Sequence, residues 1–107
     1  MQRSNPSFLN FPFVIAWREE KLPPNITAQV LISVSKKKFK RAVDRNHLKR
    51  LSREAFRLNK HLLYEQLNSK QIIIHINYIG SEILPFQSVQ EAMVKSLLKI
   101  SKEINKP

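Results

Sequence analysis

At 107 residues, 42% of them apolar, with one glycine and no cysteine, the chain has room for a single domain over 1–107, whose core forms without disulfides, thiolate metal sites or a cysteine nucleophile. Nineteen Lys and Arg face eight Asp and Glu, a formal net charge of +11, and a field of that sign concentrates polyanions: nucleic acid first, an anionic membrane second. The N-terminal stretch MQRSNPSFLNFPFVIAWREE lacks the unbroken apolar run of a signal peptide, and nothing approaches the roughly 18 apolar residues of a membrane span, so the expected location is the cytoplasm.

The first structured run is FPFVIAW, Phe11 to Trp17, which alternates as a strand with Phe13, Ile15 and Trp17 on one face and Val14 and Ala16 on the other. Pro23 and Pro24 then fix an exposed connection. ITAQVLISVS resumes the alternation, Val30, Ile32 and Val34 against Leu31, Ser33 and Ser35, and its polar side opens onto Lys36, Lys37 and Lys38.

From Ala42 to Leu67 the period becomes helical. At 100° per residue Leu48, Leu51, Ala55, Leu58 and Leu62 fall within an arc of roughly 80°, the expected buried stripe. Arg45, Asn46, Lys49, Arg50, Arg53, Arg57 and Lys60 occupy a separate arc of roughly 140°, with Phe56 among them. Asp44 is an acid suited to the first turn, where it complements the helix dipole. QIIIHINYIG, Gln71 to Gly80, is rich in β-branched residues and reads as a central strand. Beyond Pro85, Val89, Met93, Leu97, Ile100 and Ile104 recur at helical spacing, which predicts a C-terminal helix over Phe86 to Ile104. Strands with interposed helices define an α/β fold, a two-layer sandwich.

Chemistry is sparse along this chain. The lone Gly80 leaves no glycine-rich phosphate loop, no KH glycine pair and no RRM strand motif. His47, His61 and His75 have no HExxH or cysteine companion, and Glu19 and Glu20 are adjacent beside a proline loop rather than opposed, so no catalytic and no metal-binding residue is expected. The segment from Lys36 to Arg57 is different, with ten Lys or Arg against two acids, Asp44 and Glu54. A merely solvated face is the plain alternative. The clustering on one arc, with Asn46 and Phe56 as hydrogen-bonding and stacking groups, favours a phosphate-tracking surface. A membrane helix is disfavoured by the narrow Leu and Ala stripe.

The segment ISVSKKKFKRAVDRNHLKRLSREAFR resembles the signature of the protein subunit of bacterial ribonuclease P, a strand ending in Ser-x-Ser-Lys-Lys that leads into a helix bearing Arg-Asn-Arg, Lys-Arg and Arg. Here those positions are Ser33, Ser35, Lys36 and Lys37, then Arg45, Asn46 and His47, then Lys49, Arg50 and Arg53. The resemblance runs from about Phe11 to the end and implies a small mixed sheet with a left-handed βαβ crossover. It also implies a non-catalytic protein cofactor, one monomer per catalytic RNA, in a ribonucleoprotein that removes the 5′ leader from precursor tRNA with Mg bound mainly by the RNA. Arg45, Asn46, His47, Lys49, Arg50 and Arg53 would contact that RNA, and Arg57 joins them on the same arc. Ser33, Ser35, Lys36 and Lys37 would border the leader cleft, and Trp17 would either stack on a base there or pack in the core. His47 stands where the family has the second Arg of its motif, a titratable group in place of a fixed charge. The family's N-terminal helix, one wall of the cleft, has no counterpart before the first strand. The competing expectations are a ribosomal or RNA-assembly binding module and a stand-alone nuclease.

Overall fold

The computed structural model describes residues 7–106. In chain order it contains β1 (Ser7–Asn10), β2 (Phe13–Glu19), β3 (Ala28–Val34), α1 (Ala42–Asn59), α2 (His61–Tyr64), β4 (Ile72–Tyr78) and α3 (Phe86–Ile104). The expected loss of the family's N-terminal helix concerns a stretch reaching into residues 1–6, outside the described residues.

Pairing follows from the alternation. β2 lies antiparallel to both β1 and β4, and β3 runs parallel to β4, giving one mixed sheet in the order β1-β2-β4-β3. β4 is therefore central, as its run of isoleucines predicts. Register stacks Phe13 beside Tyr78, Ile15 beside Ile76 and Trp17 beside Ile74, and on the other side Val34 beside Tyr78. These side chains form the face covered by α1 and α3, while Val14, Ala16, Leu31, Ser33, His75 and Asn77 fall on the opposite, open face. The first strand begins at Phe13 rather than Phe11, because Phe11 and Pro12 make the turn of a hairpin with β1, which the sequence reading missed.

α3 matches its prediction in full, with Val89, Met93, Leu97, Ile100 and Ile104 all buried. α1 does not. Its buried line is Leu48, Ser52, Ala55 and Phe56, whereas Leu58 is 46% exposed and Leu62 is only partly buried. The cause is double packing: α1 lies against both α3 and β3, so its contact surface widens toward Ser52 and Phe56 and turns away from Leu58. Small residues at 52 and 55 let the backbones approach, and the buried Ser52 hydroxyl donates to the Leu48 carbonyl at 2.8 Å. Phe56 meets Tyr64 edge to face at 6.2 Å, so it is a core residue and not a stacking group among the cations. The predicted single helix to Leu67 divides at Lys60, after which α2 forms a short turn.

Tyr78 anchors the far end of the sheet. Phe13 and Phe39 both pack edge-on against its ring, and its hydroxyl donates to the Glu82 carbonyl at 2.7 Å and accepts from the Leu84 N–H at 3.3 Å. A Cβ on Gly80 would come within 3.1 Å of that ring and 3.3 Å of the Pro12 side chain, which accounts for the only glycine.

Burial raises the phenol pKa of both Tyr64 and Tyr78, and these are the chain's only tyrosines. Groups raised in this way contribute stability that is intact below the ordinary phenol value of about 10 and is lost as pH rises through the folded-state values. Tyrosinate absorbance should therefore appear only above that ordinary value, together with loss of the folded circular-dichroism signal. Ordinary titration near 10 with the fold retained would contradict the packing described.

Candidate nucleic-acid interface

α1 sorts its side chains by face. Asn46, His47, Arg50, Arg53 and Arg57 are exposed, while Arg45 and Lys49 sit half-buried at the margin of the packed side. Arg50 and Arg53 make no ion pair among the described residues, so both guanidinium groups remain open to an anion. Arg57 is held instead: its Nε donates to Glu54 Oε1 at 2.7 Å and its Nη2 to Oε2 at 2.8 Å. This hydrogen-bonded pairing keeps the Glu54 carboxyl below its usual pKa and raises that of Arg57. Asp44 in the first turn and Arg57 in the last complement the helix dipole.

Arg45 has a structural task as well. Its Nη1 donates to the carbonyls of Phe39 and Lys40 at 2.8 and 2.9 Å, which fastens the lysine-rich turn to the helix. With five donors on a guanidinium, others remain for a ligand. The turn itself is closed by the Phe39 N–H on the Ser35 carbonyl at 3.1 Å and by the Lys37 N–H on Ser35 Oγ at 3.2 Å. Lys36 and Lys37 are left exposed, and the Lys38 ammonium bonds the Ile79 carbonyl. Ser35 thus shapes the turn.

Ser33 lies on the open sheet face within a polar row. Its hydroxyl donates to Asn77 Oδ1 at 3.1 Å and lies 3.0 Å from His75 Nε2. The Ser33 hydroxyl thus links the side chains of Asn77 and His75. His75 and Asn77 belong to this face and were not among the predicted site residues; their alternation with Ile74 and Ile76 is visible in QIIIHINY, but their adjacency to Ser33 depends on the parallel register of β3 with β4. No helix among the described residues covers this side, and a groove along it is lined by Ala16, Trp17, Arg18, Gln29, Leu31, Ile73 and His75.

Trp17 borders this groove but is largely packed away from it. It is 8% exposed within the core, and its indole N–H donates to Glu103 on α3 at 3.4 Å. Of the two expectations for Trp17, the structure supports the core.

Among the described residues no three His, Cys, Asp or Glu side chains come together as a possible metal site. No helix of the described residues is long and apolar enough to cross a membrane. What remains is a two-layer α/β protein with an outward cationic helix face and an open polar sheet face, equipped to meet a polyanion.

The chain belongs to the ribonuclease P protein family, whose model, described as Ribonuclease P, matches residues 1–101. A ribonuclease P protein component from Porphyromonas gingivalis is 41% identical over 97 residues, covering 89% of this chain and 71% of the relative. One from Chlorobaculum tepidum is 50% identical over 52 residues, covering 49% of this chain and 34% of that relative. Solved structures agree in fold. The RNase P protein from Thermotoga maritima, in complex with 1-(4-fluorophenyl)-2-thiourea, aligns with a TM-score of 0.71 and 29% identity over 89% of this chain and 85% of that one. The Staphylococcus aureus RNase P protein aligns at 0.67 and 28%, over 94% and 84%. The chain's role accordingly lies in ribonuclease P, a tRNA-processing ribonucleoprotein.

Proposed function

We propose that the chain is the RNA-binding protein cofactor of ribonuclease P, one copy per catalytic RNA in the cytoplasm, assisting magnesium-dependent removal of the 5′ leader from precursor tRNA. The observation that carries this reading is the outward face of α1, where Arg50 and Arg53 are exposed and free of ion pairs among the described residues, with the exposed Asn46 amide beside them. Cations arranged in this way bind phosphates and release condensed counterions. Magnesium belongs to the RNA, and the protein contributes fixed positive charge and position. The exposed Lys36 and Lys37, beside the row of Ser33, His75 and Asn77, supply charge and hydrogen bonds to a single-stranded leader on the open sheet face.

Binding to ribonuclease P RNA should weaken linearly on a log–log scale between about 50 and 200 mM salt, with a slope near one unit per phosphate contacted. Ribosomal RNA fragments should compete poorly. Equal competition by ribosomal RNA would favour a general assembly module.

Glu54 gives a further handle on this face. Glu54→Gln removes a negative charge and releases Arg57, so RNA affinity should rise about three- to tenfold and the salt slope should steepen by just under one unit. Because the Glu54 carboxyl titrates below its usual value, the difference should persist across neutral pH and shrink only as pH falls through that lowered value. Identical titrations for the two proteins would place Arg57 away from the RNA.

A further inference from the structure

α3 carries a second cationic surface that the α1 face does not explain. Lys95, Lys99 and Lys102 are exposed on the helix, and at 100° per residue they fall in an arc of roughly 60°. Lys106, just past the helix end, joins them, the 48% exposed Leu98 and Glu103 in lining one open groove of about 610 Å³. The flank differs from the one that packs on α1: Gln90, whose Oε1 accepts from the Asn59 amide, points roughly 150° away from the lysines' mean direction. On the lysine side lies β1, with the Lys99 ammonium 4.7 Å from the centre of the Phe8 ring.

Four lysines against the single carboxylate of Glu103 leave the groove with a net positive charge. None of its lysines makes an ion pair among the described residues. Glu91, four residues before Lys95 and in the favourable orientation, does not pair with it. Glu103, four residues after Lys99, accepts the Trp17 indole N–H instead. Successive lysines lie about 6 and 4.5 Å apart along the axis, a row of flexible point charges suited to a phosphate backbone without base selection. Leu98 and Phe8 offer too little apolar surface for insertion into a bilayer.

We infer that the α3 stripe is a second phosphate contact, gripping a stretch of RNA different from the one met by α1, so that the rigid domain bridges two segments of one RNA. The inference rests on the RNA partner proposed above but not on which α1 residues touch it. Two contacts on one rigid body make the second binding event intramolecular, which multiplies affinity without new chemistry.

The test is a triple variant, Lys95→Gln, Lys99→Gln and Lys102→Gln, compared with the wild type and with Arg50→Ala/Arg53→Ala, each titrated against ribonuclease P RNA and footprinted by backbone cleavage. The triple variant should melt like the wild type, lose on the order of a hundredfold in affinity and flatten the salt slope by about two to three units. It should expose an RNA segment that the α1 variant leaves protected, and Lys→Arg changes at the same three positions should restore both slope and footprint. Loss of the triple variant's footprint with the α1 variant unchanged would support the stripe while sinking the α1 assignment. An unchanged slope and footprint would overturn the inference, as would exposure of the same segment by both variants. So would lysine-dependent sedimentation with phosphatidylserine vesicles in the absence of any effect on RNA.

Discussion

Leu48→Ala will lower the stability of the domain by about 2 to 5 kcal/mol, whereas Leu58→Ala, on the same helix, will change it by no more than about 0.5 kcal/mol. Leu48 is fully buried beneath α1, so truncation removes apolar burial and leaves a cavity among side chains that cannot fully collapse. Leu58 already faces water for nearly half of its surface, so little is lost there. Against a total of about 5 to 15 kcal/mol for a domain of this kind, the first change is large. Urea titrations with unchanged slopes give both values directly. Equal costs at the two positions would mean that α1 packs along its leucines after all, and that Phe56 belongs with the cations.

The double replacement Arg50→Ala/Arg53→Ala should leave the urea midpoint in place and weaken RNA binding about ten- to a hundredfold, with the salt slope flattened by roughly two units. Neither guanidinium is committed to an acid among the described residues, so its loss removes contacts with the partner and not with the fold. Arg57→Ala should do less, because Glu54 already holds that side chain. Arg45→Ala should be mixed in character: it strips two bonds from the turn at Phe39 and Lys40 as well as a cation from the surface. If Arg50→Ala/Arg53→Ala unfolds the domain, or leaves RNA binding unchanged, the division between packed and RNA-facing sides of α1 is misplaced.

The elements most legible in the sequence are those whose large apolar residues coincide with the buried side. In α3, behind Pro85, Val89, Met93, Leu97, Ile100 and Ile104 are all buried and the bounds match the expectation, with the small Ala92, Ser96 and Ser101 buried beside them. β2, β3 and β4 alternate cleanly, so their covered and open faces are readable residue by residue. α1 is harder because its buried side does not coincide with its leucines. An apolar stripe drawn through its leucines passes over Ser52, which is polar yet buried by bonding its own helix, and leaves Phe56 on the wrong side. β1 is only four residues long, too short for periodicity to speak. The same limit hides the row of Ser33, His75 and Asn77: each residue is placed on its face by local alternation, but their contact spans 42 and 44 positions and exists only once β3 has paired with β4.

The role of the chain is tested most directly by incubating precursor tRNA with the purified protein alone, with ribonuclease P RNA alone, and with both, across a series of magnesium concentrations. The protein alone should release no leader at any concentration. With the RNA present, it should bring cleavage at the mature 5′ end down to magnesium levels where the RNA alone is nearly inactive, since its cations take over part of the phosphate screening. Leader release by the protein without RNA, or cleavage by the RNA that is indifferent to the protein throughout the series, would contradict a cofactor that supplies charge and position but no chemistry.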